Sequence, residues 1–197
     1  EGEGHRHFSE EDACDIMKQL MKAIDFLHSL NVVHRDLKPE NFLLAGATTD
    51  PTRQFQHRVV LADFGCATQL EKPEALLHDI TGSPGYVAPE VLMGKDGPGY
   101  GVASDVWSMG VILYILLTGI CPFAHDEPEL SFARTLKGDF DWNLLAGVSV
   151  TARDLIANML RLQASRRLTA QQVLCHPWMN GEGVGTLDLR ITDNVRK

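Results

Sequence analysis

Val33-His34-Arg35-Asp36-Leu37-Lys38-Pro39-Glu40-Asn41 places a carboxylate, a lysine and an asparagine within six residues, and Asp63-Phe64-Gly65 follows an apolar run downstream. Transfer of a phosphoryl group needs that combination: an acid to orient a hydroxyl, a cation beside the moving phosphate, and oxygens for magnesium. The pattern H-R-D-x-K-x-x-N fixes five positions, so chance yields roughly one match in three million start sites. Ala88-Pro89-Glu90 then follows in order. Coincidence does not account for the set.

The bulk properties agree with an ordinary domain. At 197 residues the chain is one domain's worth, enough to bury a sizeable core. A composition of 44% hydrophobic and 22% charged residues is that of a soluble globular protein, not a disordered one. The formal charge of −8 argues against a nucleic-acid partner, which needs a basic face, and suits basic peptides. Cys14, Cys66, Cys121 and Cys175 are scattered without C-x-x-C spacing. They read as reduced thiols of a cytosolic or nuclear protein, with no zinc site and no disulfide frame. No signal-peptide pattern is read. The longest apolar run, Val111 to Leu117, falls far short of the roughly 20 residues of a membrane span.

Ser9-Glu10-Glu11-Asp12 has the form of an N-cap with acids in the first turn. Ile16, Leu20, Ala23, Ile24 and Leu27 then recur at helical spacing, which predicts an amphipathic helix to about Ser29. Phe42-Leu43-Leu44 and Val59-Val60-Leu61-Ala62 predict two short strands. Between them, Ala45 to Arg58 reads as a solvated insertion with turn chemistry at Thr48-Thr49-Asp50-Pro51. Asp63 to Glu90 lacks periodicity, as a long functional loop does. Ser104 is expected to cap a helix from Asp105 to Thr118 that is apolar nearly all round and therefore buried. Further helices are predicted at Phe132 to Leu136, Ala152 to Leu162 and Thr169 to Leu174, before His176-Pro177-Trp178. After the strand pair, everything is expected to be helical. Gly2-x-Gly4 and Gly181-x-Gly183-x-Gly185 lack the preceding strand and spacing of a phosphate-cradling loop and read as flexible termini. His5-x-His7 lacks further ligands and reads as surface.

The order of helix, H-R-D-L-K-P-E-N, strands, D-F-G, A-P-E, buried helix and H-P-W resembles the larger lobe of a eukaryotic protein kinase, from about Phe8 to Met179. Lys38, two residues after Asp36, resembles the serine/threonine-specific branch. Gly82-Ser83-Pro84-Gly85-Tyr86-Val87-Ala88-Pro89-Glu90-Val91-Leu92, Ser104 to Ile112 and Pro122-Phe123 resemble the calmodulin-dependent group. Phe8-Ser9-Glu10, the aspartate Asp79 and Arg167-Leu168-Thr169-Ala170 lean toward its calcium-dependent protein kinase branch. The implied fold class is mainly α (α+β): a kinase-like C-terminal lobe, helical with a short strand pair beside the catalytic loop. Residues 1–179 would be that lobe of a catalytic domain. Residues 180–197 would be a tail or the start of a linker to a regulatory segment.

The resemblance also implies chemistry for individual positions. Asp36 would orient or deprotonate the acceptor hydroxyl, and Lys38 would sit beside the γ-phosphate of ATP. Asn41 and Asp63 would hold Mg2+, a hard cation that prefers oxygen. Leu43 would lie under the adenine ring, and the Ser83 hydroxyl would reach toward Asp36 and Lys38. Glu90 and Arg167 are expected to form a buried ion pair, and Asp105 to accept backbone N–H groups of the catalytic loop. Asp79 is expected to supply the negative charge that Arg35 would otherwise take from a phosphate. His34 and Phe64 read as packing residues, and Trp107 and Trp178 as core. Glu40 is open between a solvated residue and a contact for a substrate arginine. Ile115 is apolar where some basophilic relatives carry an acid.

The implied partner is a basic protein or peptide with a serine or threonine. No nucleic acid or membrane span is expected. A calcium-binding regulatory segment would lie outside this chain, which has no EF-hand loop. The family's glycine loop and V-A-I-K lysine are also missing, so the expectation is a kinase lobe without its smaller ATP-binding partner and inactive in isolation. The alternatives are a noncatalytic pseudokinase-like interaction module and, more weakly, nucleotide binding without transfer.

Overall fold

The computed structural model describes residues 8–47 and 57–183, with the backbone of 188–189. Strand β1 (Phe8–Ser9) leads into helix α1 (Glu10–Ser29). The Ser9 hydroxyl accepts the Asp12 N–H at 3.0 Å, and Glu10, Glu11 and Asp12 set negative charge against the positive end of the helix. Ala13, Met17, Leu20, Met21 and Ile24 bury one face. Each large side chain so buried contributes about 1.5–3 kcal/mol.

Strand β2 (Val32–Val33) follows α1, and the hairpin of β3 (Phe42–Ala47) and β4 (His57–Leu61) comes after the motif loop. The hairpin is antiparallel, with Phe42 opposite Leu61, Leu43 opposite Val60 and Leu44 opposite Val59. Gln19 fastens it to α1: its side chain donates to the His57 carbonyl at 3.3 Å and accepts from Val59 N at 3.0 Å. The tip of the insertion, the glycines at 2 and 4 and the His5-x-His7 pair lie outside the described residues.

Two further strand pairs correct the expectation that all beyond the hairpin is helical. β2 pairs with β5 (Thr68–Gln69), and β1 pairs with β6 (Asp188–Leu189), both antiparallel. Strands of two residues carry no alternation to read, because chain geometry alone sets them. The second pair brings part of the 180–197 tail back to the head of α1.

After the short helix α2 (Pro89–Leu92) comes α3 (Ala103–Thr118), buried along most of its length and closed by left-handed Gly119. It begins earlier than expected and Ser104 is not its cap. The Ser104 N–H and hydroxyl both already bond the Gly101 carbonyl, so the residue lies inside the first turn. Helix α4 (Pro128–Lys137) also starts early, because Pro128 suits the first turn. Helix α5 (Val150–Met159) is capped by Ser149, and α6 (Ala170–Leu174) by a capping box of Thr169 and Gln172. A Cβ on Gly110 would stand 2.9 Å from both Leu160 and Met159, so glycine lets the end of α5 approach α3 closely.

Trp107 and Trp178 are fully buried, and Trp107 stacks on Phe123 at 5.3 Å between ring centres. Glu10 is fully buried as well, which its reading as a first-turn acid does not convey. Its carboxylate accepts from Ser149 N at 2.8 Å, Ser149 Oγ at 2.7 Å and Trp178 Nε1 at 3.0 Å. Three distant parts of the chain meet on that one group. All four cysteines are free thiols, and no described helix is long and apolar enough to cross a membrane.

Candidate active site

The motif loop is hung from the head of α3. Asp105, almost wholly buried, accepts from Arg35 N through Oδ1 and from His34 N through Oδ2, both at 2.9 Å. His28 Nε2 lies 3.0 Å from the same Oδ2, a contact the sequence does not announce. These bonds answer the question posed by a carboxylate in an apolar helix, since a buried charge needs partners. They also help hold Arg35 in left-handed backbone, at φ 70°. Such a conformation costs roughly 1–2 kcal/mol in a residue other than glycine. His34 is buried, with Nε2 3.3 Å from the Ala62 carbonyl and its ring 5.1 Å from that of Phe64.

Past His34 the side chains converge. Lys38 Nζ stands 2.9 Å from Asp36 Oδ2 and donates to Ser83 Oγ at 2.8 Å, while Ser83 Oγ donates to Asp36 Oδ1 at 2.8 Å. Burial pushes the Asp36 carboxyl up, but the hydrogen bonds from Lys38 and Ser83 outweigh it and hold the group below the usual carboxylate range. The hydrogen bond to Asp36 raises Lys38 despite its own desolvation. Both partners are therefore charged at neutral pH. Asn41 Nδ2 donates to the Asp36 carbonyl at 2.8 Å. The Asn41 carbonyl accepts from Ala62 N at 2.9 Å, which ties this loop to the stretch before Asp63.

Asp63 is exposed, in left-handed backbone at φ 59°, and its Oδ1 accepts from Gly65 N at 3.1 Å. Leu43 on β3 and Phe64 are each about half exposed, at 54% and 50%. The structure thus gathers Asp36, Lys38, Asn41 and Ser83 into one bonded cluster, with Asp63 near enough for its charge to act on Lys38. Leu43 stays outside that cluster on its strand. Among the described residues, no three His, Cys, Asp or Glu side chains form a metal-holding group.

The segment bearing Ser83 lies directly on the motif loop. Gly82 has φ 118°, and a Cβ there would come within 2.6 Å of the Arg35 carbonyl oxygen. Arg35 Nη1 donates to Asp79 Oδ2 at 2.7 Å, and Thr81 Oγ1 donates to the same oxygen at 2.7 Å. Tyr100 OH donates to Asp79 Oδ1 at 3.1 Å. Thr81 first, then Arg35 and Tyr100, hold the Asp79 carboxyl below its ordinary range against a smaller opposing effect of burial.

Residues 2–179 match the protein kinase domain family. The chain belongs to that family. It is 46% identical over 180 residues to calcium-dependent protein kinase 4 of Solanum tuberosum, covering 90% of this chain and 30% of that one. It is 42% identical over 180 residues to calcium-dependent protein kinase 2 of Arabidopsis thaliana, covering 90% and 26%. It is 37% identical over 194 residues to calcium/calmodulin-dependent protein kinase type 1 of Macrobrachium nipponense, covering 96% and 53%. The chain therefore spans about a third of the length of the first of these kinases and about half of the last.

The kinase lobe has a second fastening below the site. Arg167 grips Glu90 with two parallel bonds, Nη1 to Oε1 at 2.7 Å and Nη2 to Oε2 at 3.0 Å, and both residues are buried. Arg167 also donates to the carbonyls of Ala103 and Arg161, with its guanidinium 5.2 Å from the centre of the Trp107 ring. Two residues escaped sequence reasoning. His28 offers only a histidine at the end of an amphipathic helix. Tyr100 is marked by no more than its flanking glycines, Gly99 and Gly101, although it braces Asp79.

Proposed function

We propose that this chain is the larger lobe of a serine/threonine protein kinase of the calcium-dependent kind, acting on basic protein or peptide segments. The observation that carries the reading is the Asp36–Lys38–Ser83 triangle, in which a carboxylate held ionised shares a hydroxyl and an ammonium within 2.9 Å. On this reading Asp36 orients an incoming serine or threonine hydroxyl and takes its proton. Lys38 balances charge on the phosphoryl oxygens. Leu43 supplies an apolar face for the adenine of ATP.

The donor set suits Mg2+. Among the described residues, Asn41 spends its amide nitrogen on Asp36 and keeps its oxygen, and Asp63 is engaged by only the Gly65 N–H. Two oxygen donors, with the remainder of the shell from water and phosphate, is how this ion is commonly held. Bound there, Mg2+ would neutralise charge on the phosphate oxygens.

A pseudokinase-like interaction module needs none of Asp36, Lys38, Asn41 and Asp63, and their assembly favours the enzyme. In a protein that joins this chain to an ATP-binding lobe, Asp36→Ala and Asp63→Ala should each abolish peptide phosphorylation while leaving the chain folded. Near wild-type turnover in either variant would overturn the assignment. The 197 residues alone should show no transfer above the Asp63→Ala control in a radiolabelled ATP assay. Orientation of bound reactants supplies about 7–11 kcal/mol of barrier lowering, and one lobe holds the nucleotide from one side only.

A further inference from the structure

An open groove of about 620 Å³ lies where α1 ends, α3 begins and the Ala164–Gln171 stretch passes. That volume falls within the roughly 300–1,000 Å³ of small-molecule pockets. Val102, Val106 and Leu168 give it apolar walls, while Asp25 and His28 bring polar groups from the last turns of α1. Spaced three apart, those two share a helix face.

Most polar groups here are already engaged. Arg167 uses its guanidinium on Glu90, Ala103 and Arg161, and the Ser29 hydroxyl donates to the Phe26 carbonyl. Thr169 Oγ1 accepts from Gln172 N. Asp25 differs: it has no hydrogen bond or ion pair among the described residues. The groove therefore offers a free carboxylate beside an apolar floor, in a chain of net charge −8. An anion is repelled here, and a cation on an apolar body meets both features.

His28 gives the groove a second property. Its Nε2 bonds Asp105 Oδ2, and Asp105 holds the backbone N–H groups of His34 and Arg35. A group that moves the imidazole also moves the acceptor from which the catalytic loop hangs. We propose that this groove is a binding site for a primary ammonium carried on a compact apolar or aromatic body, coupled to the catalytic loop through His28 and Asp105.

Tryptamine is a suitable probe, with indole-3-acetate as its counterpart of opposite charge. In amide NMR spectra of the 197-residue chain, millimolar tryptamine should give saturable shifts at residues 25–29, 102–106 and 168–171, and smaller ones at His34 and Arg35. Indole-3-acetate should leave these residues unshifted. Asp25→Asn should weaken tryptamine binding by about three- to fivefold, the size of an exposed ion pair. His28→Gln should keep the groove shifts and lose those at His34 and Arg35. Equal response to both probes, or none to tryptamine, overturns the site. Saturable groove shifts without any response at His34 and Arg35 in the unsubstituted chain overturn the coupling.

Discussion

Arg35 Nη1 lies 2.7 Å from Asp79 Oδ2, joining the catalytic loop to the segment that carries Ser83. The Asp79 side chain is 55% exposed, so the pair alone contributes about 0–1 kcal/mol. The effect proposed for it on activity would come from ordering the backbone between Asp79 and Ser83. In a protein that joins this chain to an ATP-binding lobe, Asp79→Asn should lower phosphorylation rates by about two- to fivefold. Amide exchange across residues 79–87 should quicken in parallel. A parent protein inactive until Thr68 or Thr81 is phosphorylated would show that Asp79 does not supply the needed charge.

The Asp36 carboxyl sits below its ordinary range in the folded chain. Its contribution to stability is therefore present above the unfolded-state value, about 3.9, and is lost as pH falls through the lower folded value. Urea midpoints of the parent and Asp36→Asn should differ at pH 6–7. The gap should close at pH values below about 3.9. A gap independent of pH would mean that packing, not ionisation, sets the Asp36 contribution.

Glu90→Gln leaves the Arg167 guanidinium buried without its counter-charge, which should cost about 3–5 kcal/mol of stability. Calorimetry should show the drop. The double variant Glu90→Leu with Arg167→Met removes both charges, and it should unfold at a higher temperature than Glu90→Gln.

Glu10→Ala strands the Ser149 N–H and hydroxyl and the Trp178 indole N–H. An unmade buried bond costs about 1–3 kcal/mol, so this variant should lose several kcal/mol in denaturant titrations. Glu10→Gln keeps one carbonyl oxygen as acceptor and should lose less.

Much of the site was legible because its chemistry is written in short, ordered words. Asp36, Lys38 and Asn41 sit on one loop, and no fold is needed to bring them near each other. The span of α1 followed from its cap and apolar spacing, and the burial of α3 from its lack of any polar face. The spread of functional contacts was harder. His28 and Tyr100 act through partners 77 and 21 residues away, and a lone histidine or tyrosine carries no periodicity. Glu10 misled for a related reason: acids at helix starts are ordinarily solvated, and its burial depends on Ser149 and Trp178 arriving from elsewhere. The early starts of α3 and α4 reflect turns and a proline that extend a helix beyond its apolar repeat.

The Glu10 staple also bears on how the lobe is made. Its two partners lie 139 and 168 residues further along the chain. A ribosome adding about 5–20 residues per second needs roughly 8–34 seconds to cross the longer interval. Through that interval α1 can pack on β4 and α3, but its partner α6, at Ala170–Leu174, does not yet exist. The buried Glu10 carboxylate gains its indole donor only once Trp178 has been synthesised, so this end of α1 is not fully fastened until then.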